Sequence, residues 1–112
     1  MLRTIDLGAM EDVVNQYLND PDYRLLSLKI FCSEETGYTV VTMRFAPCER
    51  RETKYIRMLR RFTLEGGTGH PEVDRLLGDK NVRLIKQHVF PTSEGTVVVL
   101  DYNVRKGRQV GI

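Results

Sequence analysis

The sequence contains few of the residues that support disulfide frameworks, metal sites or membrane insertion. Its 112 residues include two cysteines, two histidines and no tryptophan. Cys32 and Cys48 are too few for a disulfide framework, and neither belongs to a C-x-x-C pair of the kind that binds zinc. No apolar run approaches the roughly 20 residues that a membrane-spanning helix needs. We therefore predict free thiols, no bound metal and no membrane association.

The chain also has little net charge. It carries 17 lysines and arginines against 15 aspartates and glutamates, a formal net charge of +2. A charge this small does not by itself imply nucleic-acid binding, and it argues against an acidic mimic of DNA. The first residues, Met1–Thr4, lack the apolar core of a secretory signal. Together with the free thiols, this favours a cytoplasmic location.

An internal repeat is the strongest pattern that the sequence does contain. When the chain is compared with itself at an offset of 59 residues, eight identities occur without a gap across Thr4–Ser33. The identical pairs are Thr4 and Thr63, Gly8 and Gly67, Val14 and Val73, Leu18 and Leu77, Asp20 and Asp79, Arg24 and Arg83, Leu25 and Leu84, and Phe31 and Phe90. Two copies of one unit indicate a pseudo-symmetric domain rather than an open solenoid.

Each unit shows the pattern of a strand, a helix and two further strands. Helical spacing of apolar residues covers Met10–Leu18, and a shorter version ends at Leu77, between Pro71 at the start and Gly78 just past the end. Strand alternation then predicts inward-facing rows. These rows are Leu26, Leu28, Ile30 and Cys32 in the first unit, with Ile85 and Val89 as their counterparts in the second.

These patterns predict one α+β domain over residues 1–112, built from tandem βαββ units at about 1–46 and 54–104. A basic linker joins the units, and a basic tail follows the second. The simplest topology places the third strand of each unit between the other two, with both helices on one face of the antiparallel sheet. One six-stranded sheet and two packed sheets both remain open.

A basic strand and the basic tail are the first candidate site. The residues that we expect to bind a ligand are Arg50, Arg51, Lys54, Tyr55, Arg57, Arg61, Arg105, Lys106 and Arg108. Strand alternation predicts that Tyr55, Arg57 and Arg61 share the face away from the helices, where arginines clamp phosphates and an aromatic ring stacks on bases. The alternative is a solvated strand whose arginines prevent edge-to-edge pairing with other chains.

A glycine-rich turn before the second helix is the second candidate. Gly66, Gly67, Thr68 and Gly69 could present backbone N–H groups to an anion at the helix start. No Walker lysine follows, and a turn that needs positive-φ residues explains the same glycines. The repeated arginines, Arg24 and Arg83, could bind one shared anion or a two-fold partner. Alternatively, each could pair with a local acid, Asp20 or Asp79.

No local signature supports catalysis. Cys48, His70 and Asp101 are the residue types of a nucleophile, a base and an orienting acid, but they are widely separated in the sequence. We therefore predict a small non-enzymatic binding protein without a cofactor, whose partner is nucleic acid or another phosphate-bearing ligand. The alternative function is a regulatory protein, an inhibitor or adaptor, that docks on a protein partner through an exposed sheet face or edge. Self-association through the same face is a further alternative.

Overall fold

The computed structural model describes residues 1–65 and 69–107, which form six strands and two helices. The elements in chain order are β1 (Leu2–Asp6), α1 (Glu11–Leu18), β2 (Tyr23–Cys32), β3 (Thr39–Pro47), β4 (Tyr55–Leu64), α2 (Pro71–Gly78), β5 (Val82–Thr92) and β6 (Gly95–Arg105). The predicted elements are therefore present, with boundaries that differ by a few residues.

The strands form two separate antiparallel sheets of three strands each, which confirms a mixed α+β architecture. The first sheet has the order β1-β3-β2, and the second sheet has the order β4-β6-β5. In both, the last strand of the half-chain lies in the centre, as predicted from the short hairpin connections. Of the two arrangements that the sequence left open, the structure has two packed sheets.

A β-bulge interrupts the second strand of each half. The pairing register shifts between Leu25 and Ser27 in β2, and between Leu84 and Lys86 in β5. The extra residues, Leu26 and Ile85, are exposed. The prediction that they begin the inward rows is therefore wrong, because a bulge reverses the alternation of side chains at that point.

The bulge also decides which other residues of these strands reach the core. In β2, Leu25 lies before the bulge and Leu28 lies after it, and both pack against the same core. In β5, Phe90 reaches that core, while Val89 points outward and is exposed, so the prediction for Val89 is also wrong. The shift of one residue accounts for the exposure of Leu26 and Ile85 but not for that of Val89, since Ile30, its counterpart in β2, packs against the core beyond an equivalent bulge.

The first core combines residues from both halves of the chain. Val14 and Leu18 of α1 pack with Met43 of β3 in the first sheet, and with Leu59 and Val99 of the second sheet. All five are fully buried or nearly so. Burying side chains of this size contributes about 1.5–3 kcal/mol each, so much of the stability depends on contact between the halves.

The second core lies on the opposite face of the second sheet. Val73 and Leu76 of α2 pack there against Val98 and Leu100 of β6. Neighbouring residues of β6 therefore enter different cores, and the two helices lie on opposite faces of this sheet. The prediction of two helices on one face is wrong because the run Val97–Leu100 is apolar at every position, as in a strand buried on both faces.

Helix α1 also covers the outer edge of β4. Asn15 accepts a hydrogen bond from the backbone N of Leu59 at 2.8 Å and donates one to its carbonyl at 3.1 Å. Asn19 does the same for Arg57, at 2.9 and 2.7 Å. Four residues along a helix and two along a strand both advance about 6–7 Å, so the two asparagines match the strand's repeat. Their amides act as a substitute strand and close an edge that would otherwise be open.

Candidate functional site

A groove of about 830 Å³ lies where the α1–β2 turn, the linker, the start of β4 and the end of β6 meet. We call it the basic groove. Among the described residues that line it are five cationic side chains and one carboxylate, that of Glu52. The cationic residues are Arg24, Arg50, Arg51, Arg57 and Lys106. The wall therefore has a clear excess of positive charge.

Most of the predicted binding residues lie in or beside this groove. Arg50, Arg51, Tyr55, Arg57 and Lys106 line it directly. The linker and the end of β6, which are about fifty residues apart in sequence, meet because β4 and β6 pair along their whole length.

Two further predicted residues are backbone neighbours of residues that line the groove, and we call their position its mouth. Arg105 is the register partner of Tyr55, and the carbonyl of Lys54 accepts a hydrogen bond of 2.8 Å from the backbone N of Lys106. Both Lys54 and Arg105 are exposed. The last predicted cation, Arg108, lies outside the described residues.

Arg57 is held by an internal ion pair. Its Nε and Nη2 atoms bind the two carboxylate oxygens of Asp101 at 3.0 and 2.6 Å. The Asp101 side chain is 4% exposed and that of Arg57 is 30% exposed. The expectation that Arg57 projects from an open face is therefore corrected. Arg57 lies on the same face of β4 as Leu59, and this face is covered by α1 and the first sheet. Because Asp101 binds its guanidinium, Arg57 shapes the wall of the groove and is not a free charge for a ligand.

Arg61 lies away from the basic groove. Its Nε donates to Thr39 Oγ1 at 3.0 Å and its Nη2 donates to the Gly37 carbonyl at 2.9 Å. It lines a second, more open recess of about 640 Å³ together with Asp6 and Gly8. The expected outward face is again covered, and Arg61 joins β4 to the β2–β3 loop instead of binding in the groove.

Arg51 is also occupied by contacts within the chain. Its Nε and Nη2 donate to the Tyr23 carbonyl at 3.1 and 2.8 Å, and its backbone N donates to the Pro21 carbonyl at 3.2 Å. These bonds attach the linker to the turn between α1 and β2. Their acceptors are neutral carbonyls, so the positive charge of Arg51 is not cancelled.

Arg50 has a weaker contact than Arg51. Its only ion pair among the described residues is with Asp22 at 3.8 Å, and its side chain is 74% exposed. An exposed pair at this distance contributes little, so its guanidinium is available to a ligand. Arg50 is therefore a better candidate for direct ligand contact than Arg51 or Arg57.

Of the two repeated arginines, one lines the basic groove and the other contacts an aromatic ring that lines it. Arg24 lines the groove, and the Arg83 guanidinium lies 5.8 Å from the centre of the Tyr55 ring, which also lines it. The sequence signal for both residues was their identity across the repeat. That signal could not show that Arg24 lies beside the linker, because the linker is outside the matched segments.

Apolar residues of the groove were absent from the predicted site. Leu18, Pro21, Leu25 and Ile56 line it between the cations. Strand and helix patterns assign such residues to the core. Their partial access to the groove depends on how α1 meets β4, which a local pattern does not contain.

The glycine-rich turn contributes no described anion site. Gly66, Gly67 and Thr68 lie outside the described residues. At Gly69 an added Cβ would meet Asp74 Oδ2 at 3.4 Å, and the backbone N of Glu72 donates to His70 Nδ1 at 3.2 Å. The first turn of α2 carries two acidic residues, Glu72 and Asp74. Their negative charges disfavour a bound anion at the start of this helix.

The titratable groups with shifted pKa values lie away from the basic groove. Burial lowers the pKa of His88, the nearby Lys86 lowers it further, and Asp101 partly opposes both. Burial raises the pKa of the Tyr102 hydroxyl, while the charge and hydrogen bond of Arg60 act in the opposite direction. In residues 1–65 and 69–107, no three histidine, cysteine or acidic side chains are grouped so that they could hold a metal ion.

No protein-family model, curated protein or solved structure matches this chain. Within the described parts of the chain, neither helix has the length and apolar composition that crossing a bilayer requires.

Proposed function

We propose that the protein is a non-enzymatic binding protein that holds nucleic acid or another phosphate-bearing ligand in the basic groove. The observation that carries this proposal is the meeting of separate cationic segments around one cavity. The linker supplies Arg50, the end of β6 supplies Lys106, and the α1–β2 region supplies Arg24. Cations brought together from three segments make a local positive field that a net charge of +2 does not reveal.

The cations of the groove divide into two groups by their contacts. Arg51 and Arg57 are held by carbonyls and by Asp101, so they set the shape and field of the wall. Arg24, Arg50 and Lys106 are the residues that we assign to phosphate. Arginine is suited to this role because its planar guanidinium binds phosphate oxygens in pairs.

The proposed origin of the groove is a duplicated βαββ unit. Its support is the shared element order, the shared strand order and the bulges at Leu26 and Ile85, which differ by the same 59 residues as the sequence identities. Arg24 and Arg83 are equivalent positions under this offset. The groove then lies at the junction of the two units, with Arg24 in its wall and Arg83 against the Tyr55 ring.

The test is binding of a fluorescent oligonucleotide as a function of salt. If phosphates are neutralised in the groove, the logarithm of the binding constant should fall linearly with the logarithm of salt concentration. The double variant R24Q/R50Q should bind more weakly, and its slope should be shallower by about 0.7 for each phosphate that the variant no longer neutralises.

A matched control has the same change in net charge elsewhere on the surface. R44Q/R75Q removes two exposed arginines that do not line the groove. This control should bind as the unmodified protein does. A binding constant that does not depend on salt, or equal losses of affinity in the two double variants, would contradict the proposal.

Docking on a protein partner is the second candidate function. It is favoured by Phe31, which is 65% exposed on β2, and by β5, which is an outer strand of the second sheet and carries the exposed Val89. Edge strands and exposed apolar side chains are common protein-binding features. A partner that is retained on the protein after nuclease treatment and released by F31S would support this alternative over the groove.

A further inference from the structure

The basic groove contains more apolar surface than phosphate binding requires. Pro21, Leu25 and Ile56 lie among its cations, and Ile56 remains 37% exposed although it is a large aliphatic side chain. A site for phosphate groups alone gains nothing from apolar walls. A ligand with a flat apolar part beside its phosphates would bury this surface and use both features.

Tyr55 provides an aromatic ring in the same groove. The Arg83 guanidinium lies 5.8 Å from the ring centre, a cation–π contact that holds the ring in place from one side. A ring that is already fixed loses little conformational entropy when a planar group stacks on it.

We infer that the groove binds single-stranded nucleic acid, with one base stacked on Tyr55. This inference rests on the proposed function and specifies its ligand. Phosphates on either side of that base would contact Arg24 and Arg50 within the groove, and Lys54 or Arg105 at its mouth. Stacking on aromatic side chains along a cationic track is the general mode by which proteins bind single strands.

A duplex does not match this geometry. Its bases are paired and stacked on each other, so it presents phosphates to the protein but no free base face. A recess of about 830 Å³ has the size of a small-ligand pocket and admits a nucleotide unit. The exposed cations at the mouth continue the positive surface, which favours a nucleotide within a strand over a free mononucleotide.

One amide side chain of the groove is not available to the edge of a base. The amide of Asn19 donates to the carbonyls of Arg57 and Asn15, each at 2.7 Å, and accepts from the backbone N of Arg57. Asn19 is therefore a positioning residue for β4, with its amide already bonded. Stacking depends on the face of a base and tolerates any sequence.

The experiment compares three fluorescent ligands of equal length at one low salt concentration, with the full-length protein. The ligands are an oligothymidylate, an abasic phosphodiester with the same backbone, and a DNA duplex. We expect the oligothymidylate to bind roughly tenfold more tightly than either of the others, within the range typical of stacking one base.

One variant tests the stacking surface directly. Y55L should weaken oligothymidylate binding severalfold and leave abasic binding unchanged. Y38L is the matched control, because Tyr38 is an exposed tyrosine that does not line the groove. Equal unfolding midpoints in urea would show that both variants are folded.

Fluorescence gives a second readout, because the chain has five tyrosines and no tryptophan. Oligothymidylate should quench part of the tyrosine emission, and this part should be absent in Y55L. The same quenching in Y55L as in the unmodified protein would overturn the assignment of the stacked base to Tyr55.

The outcomes separate the two proposals. Equal affinity for the oligothymidylate and the abasic backbone, with a steep salt dependence, would overturn the base-stacking inference and leave the proposed function standing. Equal affinity for the duplex and the single strand would also overturn the inference. Failure of all three ligands to bind at low salt would overturn both.

Discussion

At the scale of single residues, Asp101 is the most constrained charge among the described residues. It is buried in β6, where its carboxylate binds both Nε and Nη2 of Arg57. A buried carboxylate is tolerated only when charge and hydrogen bonds compensate its loss of water. The pair also holds one wall of the basic groove, so a change at Asp101 affects both stability and the site.

We expect D101N to lower the free energy of unfolding by roughly 2 kcal/mol. Loss of one partner of a fully buried pair costs about 3–5 kcal/mol, and the partial exposure of Arg57 reduces this penalty. Urea denaturation followed by circular dichroism would measure it. The control is D22N, which removes an exposed carboxylate 3.8 Å from Arg50 and should change stability by less than about 1 kcal/mol. Equal effects of the two changes would contradict the assignment.

His88 should make part of the stability depend on pH. Its native-state pKa is lowered from the ordinary value of 6.5, chiefly by burial. The unfolded chain therefore takes up the proton more readily than the native protein. The stabilisation by neutral His88 is complete above pH 6.5 and is lost as the pH falls from there towards the lowered native pKa.

The variant H88Q should remove this component of the pH dependence. Urea denaturation at a series of pH values, from neutral to mildly acidic, would give the free energy of unfolding of both proteins. Their difference should change across the interval below pH 6.5 and become constant at lower pH. Parallel curves over the whole interval would show that His88 makes no such contribution.

At the scale of secondary-structure elements, the contact of α1 with β4 joins two element types through side-chain amides. Asn15 is a poor helix former compared with alanine. It stabilises the protein through its two hydrogen bonds to the backbone of Leu59. An apolar residue here would leave a buried backbone N–H and C=O without partners. Asn15 therefore closes the middle of the β4 edge, while Asn19 and Glu11 bond the backbone of Arg57 and Arg61 on either side.

We expect N15A to lower the free energy of unfolding by about 2–4 kcal/mol, since each unsatisfied buried polar group costs about 1–3 kcal/mol. The loss should occur although alanine has the higher helix propensity. Q16A changes the neighbouring exposed residue and should be neutral or slightly stabilising. Chemical denaturation would compare the variants, and a neutral N15A would show that the amide contributes little to this edge.

The β5–β6 turn requires glycine at one position. Gly95 has a φ of +121°, and an added Cβ would lie 2.8 Å from the backbone carbonyl oxygen of Leu64. Alanine there would both strain the turn and displace the end of β4. We expect G95A to cost roughly 1–3 kcal/mol.

A second glycine provides the control for this turn. An added Cβ at Gly78, the last residue of α2, meets no atom within 4 Å. We therefore expect G78A to be neutral, or stabilising by up to about 1 kcal/mol through helix propensity. Thermal or urea denaturation would compare the two variants, and similar stabilities would argue against strain at Gly95.

At the scale of the whole molecule, the two halves of the chain depend on each other. The first core contains Val14 and Met43 from one half and Leu59 and Val99 from the other. The hairpin loops also meet, since the backbone N of Ser93 donates to the Glu34 carbonyl at 2.8 Å. Separation of the halves would expose the shared core and break the α1–β4 contact.

We expect the full chain to unfold in a single cooperative transition, with the same midpoint by far-ultraviolet circular dichroism and by tyrosine fluorescence. The fragments 1–53 and 54–112 should each lack stable structure alone and regain it when they are mixed. Two resolved transitions, or a fragment that folds cooperatively by itself, would show that the shared core is not essential.

Much of the fold could be predicted because periodicity is a local property of a chain. The repeat indicated the element order, and short hairpin connections indicated the central position of β3 and β6. The bulges at Leu26 and Ile85 could not be predicted, because one inserted residue leaves the composition of a strand unchanged. The candidate site was predicted as a set of residue types, and Arg50, Tyr55 and Lys106 do share one groove.

By itself, the sequence determined which segments form strands and helices and which residues carry the charge, because both follow from near neighbours in the chain. Only the tertiary structure decided that Arg57 pairs with Asp101, that Arg61 lies in another recess, and that α1 and α2 lie on opposite faces of the second sheet. These outcomes depend on contacts between distant segments. There, the need to bury both faces of β6 and to close the edge of β4 outweighs any local preference.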